Sequence, residues 1–178
     1  MMTVTAMMTA LLCVLAPLAL PTGAIPLTLA TLVIYLSALL LGPKYGTISV
    51  ALYLLIGTLG LPVFSSYKSG IGVLAGATGG YLVGYLFLVF IAGLGSKIDK
   101  NRPTTLILRA TLLVAGTAVL YIFGTAWYMI FSGNPLSAAL TACVIPFIPG
   151  DLIKIAVAMS ISLPLGKIVA KFENRPKQ

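Results

Sequence analysis

The sequence predicts an all-α, polytopic membrane protein: one transmembrane domain over residues 1–178, six membrane-crossing helices, and both termini in the cytoplasm. Three observations lead there. First, 60% of the 178 residues are apolar and 8% are charged. A soluble domain is about 45–50% apolar and about 25% charged, so the polar side chains here are too few to coat a water-soluble core. Second, at roughly 20 residues per crossing, six helices use about 120 residues and leave short loops. Eight would leave almost none, and four would put long apolar stretches in water. Third, 11 Lys and Arg stand against three Asp and Glu, a formal charge of +8, and six crossings place most of that charge on one side. Cytoplasmic loops collect Lys and Arg in this way.

The elements follow from the punctuation of the apolar runs by Gly, Pro and charge. Helix 1 is predicted from about Thr3 to Leu20, stopped by Pro21-Thr22-Gly23. It has no basic leader and more crossings follow, so it reads as a membrane helix rather than a cleaved signal. Helix 2 runs from about Pro26 to Leu41 and stops at Gly42-Pro43-Lys44-Tyr45-Gly46; helix 3 covers about Gly46 to Leu59. The segment Gly60 to Gly80 is rich in glycine and contains Pro62 and Lys68. Helix 4 spans about Gly80 to Gly95, and Ser96 to Pro103 is a charged loop. Helix 5 covers about Thr105 to Thr125, followed by an aromatic, uncharged connection from Ala126 to Pro135. Helix 6 begins after Leu136, is interrupted near Pro146 and Pro149, and continues to about Ala170.

This order sets the sides. Lys44, Lys97, Lys100, Arg102, Arg109, Lys167, Lys171, Arg175 and Lys177 fall together, opposite Lys68, with Lys154 near the Lys68 end of helix 6. The Gly-rich segment is then external. A non-helical stretch of that length cannot face lipid, because its backbone polar groups would go unsatisfied. It is either an ordinary external loop or the lid and wall of an outward-facing pocket.

Several function classes are excluded. Nucleic acid is not a partner, since no wet stretch interleaves basic and aromatic residues. The chain has no His, which argues against a metal site or imidazole acid–base chemistry. Cys13 and Cys143 lie far apart in apolar runs and read as small buried hydrophobes. With one interior carboxylate and no nucleophile–base pair, the chain is not an enzyme and implies no cofactor.

Asp151 and Lys154 stand out instead. They follow Ile145-Pro146-Phe147-Ile148-Pro149-Gly150, open an apolar helix, and share a face at spacing i, i+3. Ionisable groups inside a crossing cost about 2.5–3.5 kcal/mol each on insertion scales and mark functional interiors; the alternative is that the two only pair with each other. The upstream prolines break the backbone where a pocket needs exposed amides. Tyr81 and Tyr85 share a face of helix 4, and Phe64, Tyr67, Trp127 and Tyr128 sit in external connections, as ligand walls or as headgroup anchors. The spacing of Ala6 and Ala10, and of Gly76, Gly80 and Gly84, lets helices approach closely. For the glycines this reads as packing within the chain; for Ala6 and Ala10 a surface for another membrane subunit stands beside it.

Four blocks then resemble the BioY family, the biotin-specific substrate-binding (S) components of energy-coupling factor (ECF) vitamin transporters. They are Leu41-Gly42-Pro43-Lys44-Tyr45-Gly46, Gly57-Thr58-Leu59-Gly60-Leu61-Pro62-Val63-Phe64, Gly72-Val73-Leu74-Ala75-Gly76-Ala77-Thr78-Gly79-Gly80-Tyr81-Leu82-Val83-Gly84, and Pro146-Phe147-Ile148-Pro149-Gly150-Asp151-Leu152-Ile153-Lys154. Ala77 departs from the Pro usual there. The resemblance implies the six-helix S-component fold in the cell membrane and high-affinity biotin uptake. It also implies a transmembrane coupling protein, met at Ala6 and Ala10, and two cytoplasmic ATPases, since no phosphate-binding Gly-Lys loop occurs here. On this reading Asp151 accepts the ureido N–H groups. Lys154 pairs with the ureido oxygen or the carboxylate, Lys68 competes for the carboxylate, and Phe64, Thr78, Tyr81 and Tyr85 complete the ligand site. The alternatives are an S component for another small vitamin, or a proton-coupled carrier in which Asp151 titrates.

Overall fold

A computed structural model describes residues 1–20, 25–97 and 103–173. In chain order these form α1 (Met2–Leu15), the strands β1 (Ala19–Leu20) and β2 (Leu27–Thr28), α2 (Ala30–Thr58), α3 (Ile71–Ala75), α4 (Gly79–Gly93), α5 (Pro103–Ser132), α6 (Leu136–Cys143) and α7 (Phe147–Glu173). Four helical stretches, 30–58, 79–96, 105–132 and 147–166, are long and apolar enough to cross a membrane, and α1 is a shorter apolar helix. The predicted stop at Pro21-Thr22-Gly23, the loop charges Lys100 and Arg102, and Arg175 and Lys177 lie outside the described residues, as do the side chains of Lys97, Lys167 and Lys171.

Helix 1 ends at Leu15, not Leu20. Pro17 has no N–H with which to continue the helical ladder, while Ala16 before it keeps helical backbone angles and caps the helix by donating to Leu12 O. The chain beyond it is extended, with Ala19 opposite Thr28 and Leu20 opposite Leu27 in an antiparallel pair. This small ladder is a correction to the purely helical expectation.

The element α2 is one helix by hydrogen bonding but two arms in space. Gly42 sits at φ 74° and ψ −174°, followed by Pro43. A Cβ on Gly46 would lie 3.2 Å from the Ser37 carbonyl oxygen, whereas a straight helix at ~1.5 Å per residue would hold these residues on the order of 13 Å apart. The chain therefore doubles back at Gly42. The elbow packs against the end of α4, where a Cβ on Gly42 would come within 2.7 Å of Ser96 Oγ and one on Gly93 within 2.6 Å of Pro43 N. Helices 2 and 3 of the sequence reading are these two arms.

The segment after α2 is more ordered than a loop: a 3-10 turn at Ser65–Tyr67 precedes α3. Helix α5 is longer than expected, running through 126–132. The aromatic run continues its apolar surface until Gly133, at φ 68°, whose N–H closes the helix on Met129 O. Pro146 separates α6 from α7, while Pro149 falls in the first turn of α7, where a missing N–H costs nothing.

Glycines set the α4–α5 crossing. A Cβ on Gly84 would meet Leu120 Cδ1 at 2.8 Å, one on Gly116 the Leu88 carbonyl oxygen at 3.0 Å, and Gly80 and Gly124 lie directly against Trp127 and Tyr81. Gly80 and Gly84 thus serve packing within the chain. The core between helices holds Leu12, Val33, Ile34, Tyr35, Val50, Tyr53, Leu88, Val89, Leu113 and Leu120, all essentially buried. The outer faces of α5 and α7 present exposed Ile107, Ile122, Ile130, Leu152 and Ile153, a surface suited to lipid.

Candidate functional site

One cavity lies among the end of α1, the β-ladder, the first arm of α2, the 64–68 turn and helices α4, α5 and α7. It leaves about 720 Å³ free of atoms, counting the space open at its mouth. All seven residues expected to bind ligand line it: Phe64, Lys68, Thr78, Tyr81, Tyr85, Asp151 and Lys154. Tyr67, Trp127 and Tyr128 do not line it. Trp127 instead donates its indole N–H to Gly76 O at 2.9 Å, tying α5 to the loop before α4.

The floor is a polar cluster built on the second turn of α7. Asp151 is 3% exposed. Its Oδ1 accepts from Thr31 Oγ1 at 3.0 Å and from Lys154 Nζ at 3.0 Å; its Oδ2 accepts from the Tyr121 hydroxyl at 2.7 Å. Lys154 also donates to Thr28 O at 2.8 Å and to Thr31 Oγ1 at 2.9 Å. An ammonium has three hydrogens, and all three of Lys154 are used within the protein. A carboxylate oxygen has two lone pairs. Oδ1 is therefore full, and Oδ2 keeps one acceptor position. Tyr121, having given its hydrogen to Asp151, also offers only lone pairs. The floor accepts hydrogen bonds and, without rearrangement, donates none.

Aromatic side chains shape the walls. Phe64 is buried with its ring against Gly57 and edge-on to Tyr53, centroids 5.6 Å apart. Tyr81 donates its hydroxyl to Cys143 O at 2.6 Å and stacks on Phe147 at 6.4 Å. These bonds hold the rings upright as apolar walls and leave Lys68, which is exposed at the rim, as a cation with no ion pair among the described residues.

Tyr121, Thr31 and Tyr53 are wall or floor residues that the sequence did not single out. Tyr121 sits in an unbroken apolar helix, and Thr31 and Tyr53 lie on arms whose facing depends on the elbow at Gly42. Among the described residues no three His, Cys, Asp or Glu converge to hold a metal. Cys13 and Cys143 are free thiols.

Away from the cavity, Ala6 and Ala10 are both exposed on the outer face of α1, while Thr5, Thr9 and Leu12 are buried. Thr9 Oγ1 meets Ser49 Oγ at 3.1 Å and so fixes α1 against the second arm of α2. Arg109, counted with the loop charges on sequence, is instead 5% exposed inside α5, with Nε donating to Gly95 O at 3.1 Å.

This sequence and fold have close likenesses. The sequence profile of the BioY family matches residues 1–171. The biotin transporter BioY of Thermotoga maritima is 40% identical over 160 residues, spanning 90% of this chain and 92% of its own. The probable biotin transporter BioY of Pyrococcus horikoshii is 37% identical over 157 residues, 88% and 90% of the two chains. The crystal structure of the S-component for biotin from an ECF-type ABC transporter superposes with a TM-score of 0.84 at 32% identity, covering 93% of this chain and 90% of that one. Profile, relatives and fold agree over almost the whole length, and the chain belongs to the BioY family.

Proposed function

We propose that this protein captures biotin at the outer face of the cell membrane and serves its import as the S component of an ECF transporter. It is a multi-pass membrane protein and a transporter subunit, not an enzyme. The observation that carries the ligand reading is the cavity with an acceptor floor at Asp151, apolar walls and a free ammonium at the rim. Biotin offers the complement: N–H donors on a ureido ring, an apolar thioether ring and chain, and a terminal carboxylate.

The cluster refines the expected contact. In a five-membered ureido ring each N–H lies beside the carbonyl and the two diverge, so a single carboxylate meets one of them. The open position on Asp151 Oδ2 suits that one N–H, a charge-assisted bond. The neighbouring ureido oxygen can draw one hydrogen of Lys154 from Thr28 O. Phe64, Thr78, Tyr81 and Tyr85 line the path toward Lys68.

Six crossings follow if the two arms of α2 each count, with α1, α4, α5 and α7. Both termini then share the cytoplasmic side with Lys44 and the elbow. The exposed face with Ala6 and Ala10 suits close approach by a membrane coupling protein, and two cytoplasmic ATPases would supply the energy.

Calorimetric titration of the purified protein with biotin tests the ligand reading. We expect tight binding, weakened about tenfold or more in Asp151→Asn, the scale of one charged hydrogen bond. No binding by the parent protein would overturn the biotin reading, and full affinity in Asp151→Asn would move the ureido ring elsewhere.

A further inference from the structure

The turn between Phe64 and Lys68 holds an unusual backbone. Ser66 and Tyr67 have φ of 58° and 59°, the left-handed region that residues with a Cβ avoid. Such conformations persist only where surrounding structure enforces them. Here the Phe64 N–H donates to Lys68 O at 3.0 Å, the Ser66 N–H donates to Pro17 O at 3.1 Å, and the buried Phe64 ring locks the turn against Gly57. The fold thus fixes a short turn against the end of α1.

What the turn presents is specific. Ser65 and Lys68 both line the cavity. Ser65 Oγ is buried and has no hydrogen-bond partner, a state that leaves a donor unused. The Lys68 ammonium has no ion pair or hydrogen bond among the described residues, whereas every hydrogen of Lys154 is engaged at the floor. This turn therefore offers the cavity two free donors: a hydroxyl that rotates among staggered wells and an ammonium on a flexible stem.

We infer that Ser65 and Lys68 form a carboxylate subsite, and that the protein selects ligands with a free acid over their amides and esters. Ser65 gives a neutral hydrogen bond to one carboxylate oxygen and Lys68 a charge-assisted one to the other. The inference rests on the biotin reading above, and extends it from the ureido end of the ligand to the tail.

The test titrates the full-length purified protein with biotin and with biotin carboxamide, in the parent and in Ser65→Ala, Lys68→Ala and Lys68→Arg. We expect biotin to bind about tenfold more tightly than the carboxamide, the scale of one charged hydrogen bond. Lys68→Ala closes that gap, Ser65→Ala narrows it, and Lys68→Arg keeps it. An unchanged melting temperature without ligand in all three reports an intact fold. Equal affinity for acid and amide in the parent overturns the subsite and leaves the biotin reading standing. A gap that persists unchanged in both alanine variants also overturns it, because the carboxylate is then read by other groups. Binding of neither compound overturns the biotin reading and, with it, the subsite.

Discussion

At the residue scale, donor and acceptor counts decide which side chains hold the protein together and which are available to a ligand. Lys154 holds the floor: it bonds Asp151, Thr31 and the Thr28 carbonyl at once and is largely buried. Lys154→Ala leaves the Asp151 charge buried beside Thr31 and Tyr121 alone, and losing one partner of a buried pair costs about 3–5 kcal/mol. Its melting temperature without ligand is expected to fall well below that of the parent, whereas Lys68→Ala, at an exposed site, leaves it unchanged; thermal unfolding in detergent distinguishes them. Tyr121 is a positioning residue for Asp151. Tyr121→Phe keeps the ring and removes the donor, so the fold survives while biotin affinity falls about tenfold. An unchanged titration would show that Asp151 needs no help from Tyr121 to meet the ligand. Much of this site was readable in advance, because an Asp and a Lys in an apolar run are exceptional in any membrane helix. Tyr121 and Thr31 were not, because nothing local distinguishes a Tyr or Thr that faces a carboxylate some 30 or 120 positions away in sequence from one that faces lipid.

At the scale of elements, boundaries were readable wherever Gly or Pro has a local mechanism. Gly42-Pro43 marked the turn between two predicted helices, and the structure makes it a tight reversal with almost no loop. Pro17 carried the signal for the early end of α1, but the apolar run past it masked that stop. The two-residue ladder and the end of α5 depend on partners that a periodicity reading does not see. Gly42 itself is a sharp test of the elbow. Gly42→Ala forces a Cβ onto a backbone at φ 74° and ψ −174°, a region held essentially by glycine alone, at about 1–3 kcal/mol, and into contact with Ser96 Oγ. Adding Ser96→Gly should relieve the contact but not the backbone cost, so the double variant should recover only part of the lost stability in thermal unfolding. Full recovery would mean that sterics alone dictate a glycine there. The α4–α5 crossing answers a second test: Gly84→Leu pushes into Leu120, and overpacking of this kind costs about 1–3 kcal/mol.

At the scale of the whole molecule, the arms of α2 set which residues share each end of the bundle. The elbow at Gly42 lies beside Ser96 and Gly93, and Arg109 reaches Gly95 close by. Lys44 and the end of α4 therefore share one end of the bundle. Because the first arm of α2 runs from Thr31 at the cavity to the elbow at Gly42, the cavity and its Lys68 rim belong to the other end. That separation matches the charge bias of cytoplasmic loops and supports the proposal above that the ligand mouth faces outward. It also bears on energy. In a proton-coupled carrier Asp151 would take up and release its proton during transport, yet its two oxygens are already held by an ammonium and two hydroxyls. Each turnover would have to dismantle that network. A substrate-capture subunit needs no such cycle and gains from a rigid floor. Biotin uptake by cells carrying this protein with its coupling module should therefore persist when a protonophore collapses the proton gradient. It should stop when the ATPases are inactivated. Uptake that fails with the gradient and continues without ATP hydrolysis would make Asp151 the coupling group and remove this chain's transport from the ATP-driven class.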